Sequence, residues 1–185
     1  MIERISKSAT ISRYERVFAI DAALIQRKSE DARANDRKRE THLLHRGESD
    51  ALQRMLNALQ PASYIRPHRH VNPPKAETVI LLRGALGFMT FLDSGVPVER
   101  DFVHLHPDKA LAVDCREKVW HTFFALEPDT VIFEAKAGPH DAATDKEFAP
   151  WAPDEASPDA EAYLARLKDL FRKTCSLAGG SDHRQ

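Results

Sequence analysis

PASYIRPHRHVNPPKAETVILLRG, Pro61 to Gly84, decides how this chain is read, because two histidines and a glutamate stand just before and inside an apolar run. On a β-strand, side chains two apart share a face, so His68 and His70 present two imidazoles to one point. Pro61 and Pro67 stiffen the approach, and Pro67 holds Arg66 extended. Beyond the VNPPKA loop, Glu77 opens the next strand and offers a carboxylate oxygen to the same point. A fourth ligand has to come from elsewhere. His121 in KVWHTFFALEP is the best placed, since it lies in an apolar strand where a solitary buried imidazole needs a partner. Three histidines and one glutamate give mixed nitrogen and oxygen coordination, which suits one divalent ion, Fe, Zn, Mn, Ni or Co, without choosing among them.

Working outward, ETVILLRGALGFMTFLDSG contains two apolar runs, Thr78 to Leu82 and Leu86 to Leu92, split by Gly84 and Gly87 and closed by Asp93-Ser94-Gly95. That pattern predicts a β-hairpin followed by a turn. FVHLHP, ALAV, VWHTFFALEP and TVIFEAKAG continue as short β-rich runs between Pro, Asp and Gly turn residues. Many short strands without βαβ alternation predict a sandwich or barrel. One segment conflicts with this: ALQRMLNALQ places Leu52, Met55, Leu56 and Leu59 at helical spacing.

Both ends read as helical. Ala19 to Asp36 is rich in Ala and straight-chain charged residues, with Asp21 positioned to cap a helix of about 12 to 15 residues. HDAATDKEFAPWAPDEASPD reads as an extended strap rather than a strand, anchored by the ring of Trp151. Ser157-Pro158 then starts a C-terminal helix whose stripe, Tyr163, Leu164, Leu167, Leu170 and Phe171, packs on the body or on a second subunit. The closing GGSDHRQ is expected to fray.

The 185 residues suit one domain, divided as an N-terminal extension with a helix (1–40), a β-barrel carrying the metal site (41–140), and a strap with a C-terminal helix (141–185). Lys and Arg number 27 against 28 Asp and Glu, so no global charge steers the chain toward nucleic acid or an anionic membrane. Cys115 and Cys175 form no C-x-x-C pair, which fits a reducing compartment. No signal-peptide core and no run of transmembrane length is present, and a cytoplasmic location is expected. The expected partners are a small molecule and a second copy of the chain.

His68-x-His70, Glu77, Gly84 and the later His121 resemble the cupin metal-binding signature. The wider phrases QRMLNALQPASYIRPHRH, ETVILLRGALGFMTF, VWHTFFALEPDTVIFEAKAGPHD and DKEFAPWAP resemble the WbuC-family cupin-fold metalloproteins, and IDAALIQRKSEDARANDRKR is similar to that family's N-terminal helix. The resemblance implies a mainly β cupin double-stranded β-helix, a jelly-roll sandwich flanked by an N-terminal and a C-terminal helix. It also implies that Leu52 to Gln60 is a strand despite its helical spacing. Ala62 replaces a glycine usual in cupins, the gap from His70 to Glu77 is longer than usual, and Arg116, Lys118 and Ala125 replace residues of the second motif. The longer gap is expected of the WbuC-like subgroup.

Other candidates carry plainer readings. His104-x-His106 has the same spacing as the first pair, but no acidic ligand follows at strand distance, which favours rim histidines. His42 and His45 are loop histidines, though the resemblance makes His45 a candidate for the pocket rim. Cys115 reads as a small core residue. The basic cluster Arg33, Arg37, Lys38 and Arg39 can meet a phosphate, but solvated charge is the commoner reading. Arg54, Asn57, Tyr64 and Arg66 lie in or beside inner strands and can supply donors to a ligand. Arg66 is assigned inward because it shares parity with the two histidines.

The resemblance implies proximity to surface-polysaccharide (O-antigen) biosynthesis, hence a sugar or sugar nucleotide. Three readings stay open: a metal-dependent isomerase or oxygenase, a non-catalytic ligand-binding or sensor module, and a protein whose metal only braces the barrel.

Overall fold

The computed structural model describes residues 1–179. In chain order the strands are β1 (Ile2–Ser6), β2 (Ala9–Ser12), β3 (Arg39–Leu43), β4 (Leu52–Leu59), β5 (His68–Arg69), β6 (Glu77–Arg83), β7 (Leu86–Phe91), β8 (Val103–Leu105), β9 (Ala112–Cys115), β10 (Trp120–Ala125), β11 (Thr130–Ala137) and β12 (Glu147–Phe148). Helix α1 (Ala22–Ala34) separates β2 from β3, and α2 (Ala160–Gly179) follows β12. The strands form a seven-stranded sheet, β1-β2-β3-β4-β11-β6-β9, facing a five-stranded sheet, β12-β5-β10-β7-β8. From β4 to β12 the chain passes repeatedly from one sheet to the other, as in the jelly-roll sandwich of a cupin.

Strand alternation decides what each face does. On β4, Met55 and Leu59 share one face while Leu56 and Ala58 share the other, packing with Leu24 and Ala32 of α1. Leu59 joins Ile65, Val79, Leu86, Phe88, Leu105, Phe123, Ala125 and Ile132 in the core between the sheets. Apolar residues on both faces of one strand produced the helical spacing of ALQRMLNALQ, and tertiary packing makes the segment β. Strands β7 and β10 are buried on both faces, because α2 and the strap cover the outer side of the smaller sheet. The stripe on α2 is spent there: Leu164, Leu167 and Phe171 pack with Met89, Phe91 and Phe124.

The expected hairpin of Thr78–Leu82 with Leu86–Leu92 is corrected. Strand β6 pairs with β11 and β9, while β7 pairs with β10 and β8, so the two runs lie in opposite sheets. Gly84, at φ +80°, lets the chain cross between layers, and a Cβ there would sit 2.5 Å from Thr130 Oγ1. Thr130 Oγ1 itself donates to the Ala85 carbonyl at 3.0 Å.

The N-terminal helix begins as expected, with Asp21 Oδ1 accepting from Leu24 N at 2.8 Å. Sequence patterning assigned no strand before it, yet β1 and β2 extend the larger sheet through the parallel pairing of β2 with β3. Under α1, Lys28 Nζ donates to Thr10 Oγ1 (3.1 Å), and Thr10 Oγ1 lies 2.8 Å from His42 Nδ1. The other ring nitrogen, His42 Nε2, lies 2.8 Å from Ser12 Oγ, so the imidazole has a hydroxyl partner on each side. His42 is therefore a neutral structural histidine rather than a loop residue.

The strap is extended, as expected, but contains the two-residue β12. Trp151 anchors it with its ring 5.0 Å from that of Phe91. Ser157 Oγ accepts from Asp159 N at 3.2 Å just before α2. The fraying expected of GGSDHRQ falls, beyond Gly179, outside the described residues. Among the described residues no helix is long and apolar enough to cross a membrane.

Two outcomes follow. Gly84→Ala combines a positive φ with a clash and should cost about 2 kcal/mol or more in urea unfolding. Burial, reinforced by the charge of Lys28, pushes His42 down to about 4. Below pH 6.5 the unfolded state then binds the proton that the folded state refuses, so stability falls as pH drops from 6.5 toward 4. The loss should be on the order of 2–3 kcal/mol, and His42→Gln should flatten that part of the unfolding free energy against pH.

Candidate metal centre

His68 opens β5 and pairs directly with His121 of β10, so the two rings share the inner face, with centroids 4.5 Å apart. His70 follows two residues on, and Glu77 opens β6 on the facing sheet. One nitrogen from each histidine and one oxygen of Glu77 all lie within 4.8 Å of one another. None of the four residues is more than 2% exposed.

Backbone carbonyls set the direction of each ring. His68 Nδ1–H donates to the Arg66 carbonyl at 3.0 Å, His121 Nδ1–H to Val119 at 2.9 Å, and His70 Nδ1–H to Asp145. Each Nε2 is then left as a lone pair. His70 Nε2 lies 3.2 Å from Glu77 Oε2 and His121 Nε2 lies 3.8 Å from Glu77 Oε1. His68 Nε2, His121 Nε2 and Glu77 Oε1 are buried without a hydrogen-bond partner. Lone pairs gathered around a carboxylate repel one another unless a cation lies among them, so the donor set fits a divalent ion.

The electrostatics point the same way. Burial pushes His68 well below the usual imidazole range, and it also lowers His121. Burial would raise Glu77, but the polar contacts with the His70 and His121 rings and the positive charges of Lys136 and Lys146 outweigh it and hold the carboxyl well below the usual range. The group therefore combines neutral imidazoles with an ionised carboxylate, the protonation states that metal ligation requires.

Residues absent from the sequence reading surround the four. Asp145, besides taking the His70 proton on its carbonyl, accepts from Lys75 Nζ and Lys136 Nζ, each at 2.8 Å. Lys136 lies directly across from Glu77. Glu134, two residues along β11 and so on the same face, accepts from Asn57 Nδ2 at 2.7 Å; burial and then the charge of Glu77 push it up to about 7. Lys146 is exposed, yet the protein around its ammonium lowers its pKa, and its charge acts on His68, Glu77 and His121. In the sequence, Glu134 and Lys136 stand in the β-rich run TVIFEAKAG, where alternation puts both on one face, while DKEFAPWAP holds Asp145 and Lys146 but reads as a polar strap.

The expected ligand-contacting residues divide. Asn57 points between the sheets, held by Thr41 and Glu134. Arg54 shares the opposite face of β4 with Leu56 and Ala58. Tyr64 donates to the Pro153 carbonyl at 2.9 Å and packs on Tyr163, in the layer under α2. Arg66 donates to the Ala149 carbonyl and pairs with Asp154 of the strap; the inward assignment is corrected because β5 starts only at His68 and strand parity does not reach back through Pro67. His45 Nδ1 is held against the backbone N and O of Arg54, at 3.0 and 2.9 Å. Cys115, across from Glu77, is a buried thiol pushed up to about 12 by burial and then by the charge of Glu77. The basic cluster is largely ion-paired, Arg33 with Asp129 and Arg37 and Arg39 with Glu155.

Fold and site together define a class: a cupin-type jelly roll with a buried group of three histidines and one glutamate. A family model described as a domain of unknown function (DUF6016) matches residues 20–104. No curated protein matches the sequence. Among solved structures the chain is similar to KdgF from Halomonas sp., at 16% identity and TM-score 0.43, over 57% of this chain and 82% of that one. It is also similar to a Cellulomonas parahominis L-ribose isomerase with L-psicose, at 14% identity and TM-score 0.46, over 62% and 70% of the respective chains. A third is the capsular polysaccharide assembling protein CapF from Staphylococcus aureus, at 19% identity and TM-score 0.45, over 54% of this chain and 27% of that one. At these scores the likenesses say nothing of ligand or reaction.

Asp145→Asn should cost about 3–5 kcal/mol in urea unfolding at pH 7, because two buried ammoniums lose their shared carboxylate. The charges and hydrogen bonds of Lys136 and Lys75 overcome burial and hold Asp145 below its ordinary 3.8, so this stabilisation is present above that pH and is lost as pH falls through the depressed value.

Proposed function

We propose that the protein is a metal-binding cupin of the WbuC type that holds one divalent transition metal through His68, His70, Glu77 and His121 and uses it to bind or transform a small polar molecule. The observation that carries this reading is the convergence of three buried Nε2 lone pairs on one carboxylate, with three of the facing atoms lacking any hydrogen-bond partner. Four protein ligands leave positions free in a five- or six-coordinate ion, and such an ion supplies Lewis acidity toward a bound oxygen donor. The chain's own residues then fix the setting: the three backbone carbonyls orient the rings, and the two sheets exclude bulk water. Lys136 and Lys146 add positive charge, and Glu134 stands within the sandwich as a carboxyl able to hold or release a proton near neutrality. Sugar or sugar-nucleotide chemistry in surface-polysaccharide metabolism belongs to this proposal through the WbuC resemblance, as does pairing into a homodimer.

A second reading, a metal that braces the sandwich without turnover, is favoured by one observation. The four residues are buried, and they line neither the cavity between Arg39 and the start of α2 nor the one beside its last turns.

Elemental analysis of untagged protein prepared without chelator should find near-stoichiometric metal. His70→Ala and His121→Ala should lose it while keeping a β-type circular dichroism spectrum; full occupancy in either variant would show the four-residue assignment to be wrong. Free metal at a hundred times its Kd should stabilise the fold by about 2.7 kcal/mol. An Fe(II)-loaded sample whose spectrum responds to O₂ would select oxygenase chemistry. A metal-loaded protein with no exchangeable water on the ion would select the bracing role.

A further inference from the structure

The His104-x-His106 pair has no part in the metal centre. Leu105 is fully buried in the core between the sheets, so alternation along β8 turns the two flanking histidines the other way. They line a cavity of about 570 Å³ between β8 and the last turns of α2. Its apolar side is made by Ala85, Leu126 and Phe171, and the ring of His104 packs edge-on against Phe171 at 6.1 Å.

The polar side is made mostly of donors, with one carboxylate, Glu127. Lys109 Nζ lies 2.9 Å from His104 Nδ1, and an ammonium only donates, so the His104 proton is on Nε2. Asp108 N–H donates to His106 Nδ1 at 3.1 Å, which leaves that ring's proton on Nε2 as well. Arg172, exposed on α2, lines the same cavity, and its side chain makes no ion pair or hydrogen bond among the described residues. Lys109 and Arg172 against Glu127 leave the lining with one net positive charge. A divalent metal is disfavoured here, because an ammonium already occupies the lone pair of His104.

We infer that this cavity binds a small organic carboxylate, a monoanion whose acid group meets Arg172, Lys109 and the two imidazole N–H groups and whose apolar body lies on Leu126 and Phe171. The volume is in the range of small-molecule sites. The single net charge matches a monoanion better than a dianionic phosphate, since repulsion from Glu127 is felt by both and grows with the charge of the ligand.

The test uses the full chain with ¹⁵N-labelled histidine, titrated with benzoate and with its neutral isostere benzamide. Benzoate should shift the ring resonances of His104 and His106 and leave those of His68, His70 and His121 in place, while benzamide should bind at least about fivefold more weakly. Arg172→Gln, at an exposed position on α2, should reduce the preference for benzoate by a similar factor, and Arg172→Lys should restore part of it. Equal binding of benzamide and benzoate, shifts confined to the metal-centre histidines, or no shift at 50 mM benzoate, on the order of the weakest useful affinity, would each overturn the inference.

Discussion

Three hydrogen bonds from imidazole Nδ1–H groups to backbone carbonyls organise the centre of this protein. Each decides which nitrogen of its ring stays bare and where it points. The acceptors, Arg66, Val119 and Asp145, lie respectively before β5, before β10 and in the strap. The strap therefore has to be in place before His70 can aim at the common point. A free side chain in water would lose little by turning away; here turning away would leave a buried N–H without an acceptor.

That dependence gives the strap a larger role than its composition suggests. Its Asp145 neutralises two buried lysines while its carbonyl orients a histidine. Further along, Arg66, Arg69 and the Arg37–Arg39 pair bind Asp154, Glu147 and Glu155. Exposed ion pairs of this kind contribute little individually. They register the strap along the edge of the smaller sheet, while burial of Trp151, Ala149 and Ala152 supplies most of its attachment.

The two sheets divide the chemistry between them. The smaller sheet contributes His68 and His121, with His70 just past the end of β5, and the larger one contributes Glu77 together with the charged pair Glu134 and Lys136. A small movement of one sheet against the other would alter every ligand distance at once, so the apolar core around Phe88, Phe123 and Ile132 also keeps the donor geometry. Phe88 takes part directly, stacked on the ring of His121 at 9° between planes.

The sequence by itself determined the strand-rich class, the capped helix at Asp21, and the four converging residues, because period-two spacing in His68-x-His70 and the apolar setting of His121 are local properties. It also exposed Gly84 as a break, but local pattern has no means of saying whether a chain leaving a glycine turn pairs with the strand it has just made or crosses to another sheet. That was decided by β11 and β9, which occupy both edges of β6. Tertiary structure alone decided that Arg66 serves the strap, that His42 is a neutral core histidine, and that Asp145, Lys136 and Glu134 gather near Glu77. Burial and long-range charge pairing depend on which distant residues fill the same space, and spacing along the chain carries no record of that.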